Sequence, residues 1–361
     1  MKIIVTAGGQ GTKLWPYSRQ DKPKQFQPII GDTSSYEQAI ETLLEKFAPE
    51  DIFISTKRRF IKYVSEQSPQ IPLKNYIVEP DASKDTGPGH GLAFLRLSVS
   101  HPGEPFFLIQ ADCIREPSAA FLKMIEDAGK IVAAQKKLLT GGIKATGPNI
   151  GVDYLQLGER IKNQGKQALY EVTNFLGRRK TYKETKELVE NFNVVTHSNH
   201  YCWYPELMID AYKQYRPDWH EALMNMRDSL DRPGEDAAIT AIYETMERGS
   251  TEEVTKRVME AHQSAVILLP FKWTDIGTWS SVYEFFADGA ENYQDGNVIA
   301  LESGGSLIKS HCKDKLVAVA GVDDLVIVDT DDALLIVPKN RIEKIQEIQN
   351  LLANTDNQKY L

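Results

Sequence analysis

Short apolar runs alternate with amphipathic stretches through the first 140 residues. Ile3-Ile4-Val5 lies in a strand-length run at residues 2–6, and similar runs occupy 51–55, 76–79 and 106–110. Between them, residues 34–47, 59–66, 88–99 and 118–135 repeat their apolar side chains at helical intervals. This alternation predicts βαβ units, hence an α/β, Rossmann-like, mainly parallel sheet. Ligands of such sheets bind beyond the carboxyl ends of the strands. Residues 7–11 and 111–113 stand at two of those ends.

The pattern is more mixed from 140 to 290. Strands are predicted at 138–144, 154–157 and 169–175, and helices at 181–191, 206–215, 236–247 and 252–260. The stretch RDSLDRPGEDAA is a polar break with Pro-Gly and reads as a surface loop before a helix. After about residue 291 the texture changes to short β-rich runs separated by Gly, Asp and Ser, with a closing amphipathic helix at 341–352. Stacked short strands in a small β domain account for this, although no strict repeat is visible. The division predicted is 1–288 and 289–361.

Composition narrows the picture. Hydrophobic residues make up 42% and charged residues 25% of 361, as in ordinary globular proteins. A formal net charge of -8 argues against a general nucleic-acid-binding surface, so an anionic ligand must be met by locally placed lysines, arginines and backbone N–H groups. Three widely spaced cysteines, Cys113, Cys202 and Cys312, form no CxxC pair, which points to neither a disulfide framework nor structural zinc and fits a cytoplasmic location. No window reaches 18 apolar residues, so no membrane span is expected.

The richest chemistry lies in AGGQGTKLWPYSRQDKPKQF, residues 7–26, directly after the first apolar run. A P-loop needs Lys then Ser or Thr after its last glycine, and Gly11-Thr12-Lys13-Leu14 fails that test. A dinucleotide fingerprint fits Gly9 and Gly11 but finds Leu14 at the third glycine position. This argues against an oxidoreductase. A ligand-free tight turn is the plainest remaining reading. Against it, Pro16 interrupts any helix. An extended loop carrying Lys13, Arg19, Lys22 and Lys24 beside glycine N–H groups suits a triphosphate.

The stretch resembles the signature of sugar-nucleotide pyrophosphorylases, in particular the mannose-1-phosphate guanylyltransferases: GGxGTRLWPxSR, then PKQF. Lys13 stands where that pattern has arginine. VEPDASKDTGPGHGLA is similar to the family's EPxxRNTAPA segment, with Lys84 and Asp85 in place of Arg and Asn. FFLIQADCIREP is similar to its LPADH motif, with Cys113 for the histidine, and FKWTDIGTW keeps its W-x-D-x-G-x-W. The resemblance implies a nucleotide site made of Ala7, Gly8, Gly9, Gly11, Thr12, Lys13, Lys24, Glu79, Thr86 and Asp112. Lys13, Lys24 and Asp112 are the implied catalytic groups, and Asp112 and Asp275 the implied ligands of Mg²⁺. Asp275 could equally cap the helix that begins near Gly277. Glu79 could pair with guanine donors, or be a helix-capping or solvated strand-end acid.

On the sugar side the resemblance implies Gly151, Arg178 and Asn199, among several departures. Asp153 replaces a second glycine, Gly177 a sugar-binding glutamate, Arg178 a lysine, His197 an asparagine and Asn199 a glycine. An aspartate is also lost near Thr255. The implied activity is transfer of a nucleotide from GTP to a sugar 1-phosphate, giving a nucleotide-sugar such as GDP-mannose and pyrophosphate, by a homodimer. The alternative is an impaired, nucleotide-binding homologue that regulates a partner.

Overall fold

In the computed structural model, the described residues are 1–9, 11–162, 167–287, 291–312 and 314–361. They divide into two compact units. The first comprises residues 1–8, 42–110 and 115–272, and the second 9–41, 111–114 and 273–361. The predicted boundary at 288/289 falls outside the described residues.

The first unit is built on a nine-stranded sheet. Its strands, numbered with two others in chain order, are β1 (Lys2–Thr6), β2 (Ile52–Lys57), β3 (Tyr76–Glu79), β4 (Phe106–Gln110), β6 (Leu138–Lys144), β7 (Tyr154–Ile161), β8 (Leu169–Gly177), β9 (Val194–Trp203) and β10 (Ser264–Leu268). The others, β5 (Cys113–Glu116) and β11 (Lys272–Asp275), carry the chain from one unit to the other. The order is β3-β2-β1-β4-β9-β6-β10-β8-β7. The block β3-β2-β1-β4 is parallel, with Ile4 opposite both Phe53 and Leu108. Ile3, Ile4 and Val5 are fully buried, which is why this run is apolar throughout rather than alternating.

Beyond β4 the sheet continues through antiparallel β9, the parallel pair β6 and β10, and antiparallel β8 and β7. The ten-residue β9 is not legible as a strand, because Thr196, His197, Ser198, Asn199 and His200 break its apolar pattern. It is nonetheless almost wholly buried. Thr140 and Arg115 each meet one of its histidines: Thr140 Oγ1 lies 2.8 Å from His197 Nε2, and Arg115 Nε donates to His200 Nε2 at 3.0 Å, while His197 Nδ1 is buried with no hydrogen-bond partner. A helix at Pro217–Arg227 also had no counterpart among the expected elements.

Helix bounds otherwise shift by a few residues. The helix expected at 88–99 runs Thr86–Ser100, since the Asp85 carboxylate accepts from Thr86 N and caps it, and Pro88 is tolerated in the first turn. Against this helix sits the fully buried Trp219. A Cβ on Gly87 would lie 2.2 Å from its ring and 2.7 Å from the Gly249 carbonyl.

The second unit holds β12 (Tyr293–Asp295), β13 (Val298–Leu301), β14 (Leu307–Ser310), β15 (Val317–Ala320), β16 (Leu325–Asp329) and β17 (Leu334–Pro338), and the closing helix Lys344–Ala353. One sheet has the order β12-β14-β16-β17 and the other pairs β13 with β15. Val298 pairs with Val317 and Leu307 with Val326, both parallel. Side-chain bonds such as Ser310 to Asp329 repeat that separation of 19 residues. The chain therefore stacks in coils whose repeat is kept in backbone register rather than in residue identity. The core of this unit joins Leu14 and Trp15 of the glycine-rich segment, and Ile29 just after it, to Trp279, Leu307, Val326, Leu335 and Ile345. Among the described residues no helix is long and apolar enough to cross a membrane.

The packing at Gly87 yields a test of this fold. Gly87→Ala should overpack Trp219 and lower stability by about 1–3 kcal/mol, read from the chemical denaturation midpoint. An unchanged midpoint would show that the Trp219 contact is not as tight as described.

Candidate functional site

The glycine-rich segment starts in the first unit and enters the second between Gly8 and Gly9. Ala7 completes the strand: its N–H donates to Ser55 O at 2.8 Å and its carbonyl accepts from Thr56 Oγ1 at 3.0 Å. Ala7 is thus buried backbone.

In the second unit, Gly11 takes the left-handed conformation (φ 61°) and leads into a short 3-10 turn, Thr12–Leu14. Its carbonyl accepts from Ser18 Oγ at 2.6 Å, and the Gly9 carbonyl from Gln25 Nε2 at 2.9 Å. A Cβ on Gly11 would stand 2.4 Å from Lys24 Cγ, so the absence of a side chain there lets the Lys24 stem lie against the turn. Lys13 is exposed at the same turn.

Lys24 follows Pro23 on a second 3-10 turn, Lys24–Phe26, and its side chain reaches two distant segments. Nζ lies 2.8 Å from Asp112 Oδ2, 3.6 Å from Asp275 Oδ1 and 3.0 Å from the Ile276 carbonyl to which it donates. The Ile276 N–H donates to the Asp112 carbonyl at 3.2 Å, which keeps the two acidic segments side by side. Burial opposes the charge of Lys24, but Asp112 and then Asp275 outweigh it and hold its pKa above the ordinary lysine value. Asp275 is shifted upward, chiefly by desolvation, against the opposing pull of Lys24; the positive charge of Lys13 also reaches it. Asp275 does not cap the following helix: Thr278 does, in a capping box with Ser281. One ligand atom each of Asp112, Cys113 and Asp275 lies within 4.8 Å of the others. Two carboxylates from separate segments suit Mg²⁺, which takes hard oxygen donors and completes its shell with water and phosphate oxygens. The soft thiol of Cys113 suits it poorly and instead faces Asp112 Oδ1 at 3.7 Å.

The first unit carries the remaining candidates. Glu79 ends β3 as a buried carboxylate, with Ser55 Oγ donating to Oε1 at 3.0 Å and Tyr243 OH to Oε2 at 3.3 Å. Burial raises its pKa, partly offset by the Ser55 bond and by Lys57. It is neither a helix cap nor a solvated strand-end acid. Cβ atoms on Gly8 and Gly89 would meet it at 3.4 and 2.7 Å, so it fills the space between the strand end and the Thr86–Ser100 helix. Thr86 Oγ1 accepts from Thr251 N at 3.0 Å and thereby ties down the Thr251 turn. Asp85 has φ 68° and ψ -170°, outside the left-handed helical basin and in a region that residues other than glycine rarely adopt.

On the sugar side two departures from the pattern bond to each other: Arg178 Nε donates to Asp153 Oδ2 at 3.1 Å. Asn199 replaces a glycine at φ 55°, a conformation that asparagine adopts more readily than most residues. Its Oδ1 accepts from Tyr201 OH at 3.3 Å. Glu252, at the start of the Glu252–Glu260 helix, joins this group. Burial and then Asp153 raise its pKa, while Arg178 and a hydrogen bond from Asn199 lower it. Nothing in the linear sequence distinguishes Glu252 from the other acids of a first helical turn. Gly151 is exposed, its N–H donating to Asn149 Oδ1 at 2.8 Å.

A nucleotidyl transferase family model matches residues 2–292, most of the chain. The chain belongs to the nucleotidyl transferase family. A MannoseP isomerase/GMP-like beta-helix domain model matches residues 296–352, the stacked-strand segment of this nucleotidyl transferase. Among curated relatives, a mannose-1-phosphate guanylyltransferase of Salmonella muenchen is 30% identical over 362 residues, covering 98% of this chain and 74% of that protein. A mannose-1-phosphate guanylyltransferase of Escherichia coli K12 is 30% identical over 366 residues, with 96% and 72% covered. A crystal structure described as a mannose-1-phosphate geranyltransferase from Thermus thermophilus superposes with a TM-score of 0.83 over 98% of this chain and 99% of that one; at 23% identity it supports the fold.

The contact between Gly11 and Lys24 generates a prediction. Gly11→Ala places a side chain at a left-handed position, costing about 1–2 kcal/mol, and displaces Lys24 from between the aspartates. Nucleotidyl transfer should fall by about tenfold or more, measured as initial rate, with the protein still folded by circular dichroism. Wild-type rates in this variant would remove Gly11 and Lys24 from the site.

Proposed function

We propose that the protein transfers a guanylyl group from GTP to mannose 1-phosphate, giving GDP-mannose and pyrophosphate. The observation that carries this reading is the convergence of Lys24, Asp112 and Asp275 beside the glycine-rich turn. The similarity to mannose-1-phosphate guanylyltransferases over 98% of the chain supports the choice of base and sugar.

In this reading the sugar phosphate oxygen attacks the α-phosphorus of GTP, and the bond from that phosphorus to the α,β-bridging oxygen breaks as pyrophosphate leaves. The nucleophile is already an anion, so no strong base is required, and the rate depends on positioning and charge neutralisation. The backbone N–H groups at Gly8, Gly9, Gly11 and Thr12 cradle the phosphates. Lys13 and Lys24 offset charge at the α-phosphate and leaving group. Asp112 and Asp275 would hold Mg²⁺, which would supply charge neutralisation to the triphosphate. Glu79 and Thr86 shape the nucleoside side. Gly151, Asp153, Arg178, Asn199 and Glu252 are assigned to the acceptor, with Arg178 meeting phosphate through a planar fork rather than a point charge.

Pyrophosphate release from a panel of nucleoside triphosphates and hexose 1-phosphates should be fastest with GTP and mannose 1-phosphate and should stop on chelation of divalent cations. Asp112→Asn should lower that rate by about 100-fold, the scale expected when a group acting on developing charge is removed. A panel without any release would refute the reaction.

The reading extends to a homodimer. Ile299 and Leu301 on β13 and Leu334 and Ile336 on β17 are exposed apolar side chains of the second unit, a pattern that favours association. Light scattering should return about twice the 40.7 kDa of one chain; a monomer mass at micromolar concentration would refute it.

A further inference from the structure

The glycine-rich segment is held in place by residues more than 300 positions away. Gln349, on the closing helix and only 7% exposed, donates through Nε2 to the Thr12 carbonyl at 2.7 Å. That carbonyl belongs to the Thr12–Lys13 peptide. A planar trans peptide points its N–H opposite to its carbonyl, so a fixed Thr12 oxygen also fixes the direction of the Lys13 N–H and the root of its side chain.

A second attachment lies past the helix. The Tyr360 carbonyl accepts from Trp15 Nε1 at 2.7 Å and from Arg19 Nη1 at 2.6 Å, and the Leu361 carbonyl accepts from Gln20 N at 2.7 Å. The other two nitrogens of Arg19 also have partners: Nε donates to Pro16 O at 2.7 Å and Nη2 to Asp332 Oδ1 at 2.7 Å. The accepting segment is itself ordered as a 3-10 turn, Gln358–Tyr360, closed by Tyr360 N to Asn357 O at 3.0 Å. The Trp15 and Arg19 side chains of the signature are therefore directed to the C-terminal segment.

We propose that Gln349 and residues 358–361 are positioning elements of the triphosphate site. They aim the Gly11–Lys13 turn without touching substrate. This rests on the reading of that turn as the phosphate cradle. It assigns the closing helix and the segment after it a part in nucleotide affinity, not only in the packing of the β domain.

Two altered proteins test it: Gln349→Leu, which keeps volume and helix but removes the donor, and a chain shortened to residue 357. Each is compared with the full chain by calorimetry with GTP and Mg²⁺ and by steady-state kinetics. Gln349→Leu should raise the Kd and KM for GTP about fivefold, the worth of one hydrogen bond, leave the KM for the sugar phosphate within about twofold, and lower the melting temperature by only a few degrees, leaving the protein folded at the assay temperature. The shortened chain should show a larger loss of GTP affinity. Unchanged GTP affinity in both would overturn the proposal, as would a loss in Gln349→Leu that the fraction unfolded at the assay temperature accounts for. If the shortened chain does not fold, Gln349→Leu alone decides. A full chain that binds GTP but transfers nothing would refute the proposed reaction while the affinity comparison still decides this inference. A full chain that does not bind GTP would overturn both.

Discussion

The burial of Leu14 and Trp15 is the constraint on which the second unit depends. Both sit in one core with Trp279 and the stacked strands, and the Trp279 indole donates to the Trp15 carbonyl at 2.9 Å. A loop that binds phosphate must expose its backbone N–H groups, and exposed loops are mobile. Here the exposed turn is followed at once by two large apolar side chains that are buried. The same segment therefore presents polar backbone and anchors itself. The aspartates gain from this arrangement too, because Ile276 packs in that core while its backbone joins Asp112 and Lys24.

Much of the fold was readable from residues. The apolar run at Ile3–Val5 had to be a central strand, and the alternation of runs and amphipathic stretches placed most helices to within a few residues. What could not be read was burial of polar residues. β9 carries two histidines, and only the tertiary partners Thr140 and Arg115 make it a favourable interior strand. Burial lowers the pKa of His197 to about 3, so it is neutral there; its Nδ1, buried with no hydrogen-bond partner, is the cost that remains.

The site was legible to different depths. The pairing of Lys24 with Asp112 and Asp275 follows from a motif that spans three segments, and the distances bring those three side chains together. The sugar side reads in sequence as a list of losses. In three dimensions Asp153 and Arg178 compensate each other, and Glu252 adds a carboxylate to the group. A position-by-position comparison counts each change separately, whereas a salt bridge is a property of two positions and is invisible until they are adjacent.

The 19-residue offset of the stacked strands bears on how this segment tolerates changes in length. Where the 19-residue step holds, from β13 to β15 and from β14 to β16, one coil presents to the next the same row of backbone donors and acceptors, so a whole coil added there keeps the ladder in register. Adding a single residue in β16 ahead of Val326 reverses the faces of the side chains that follow in that strand and turns Val326 and Val328 out of the core. Length variation in this part of the chain is therefore quantised: whole coils, or changes confined to the corners between strands, are the steps it can absorb.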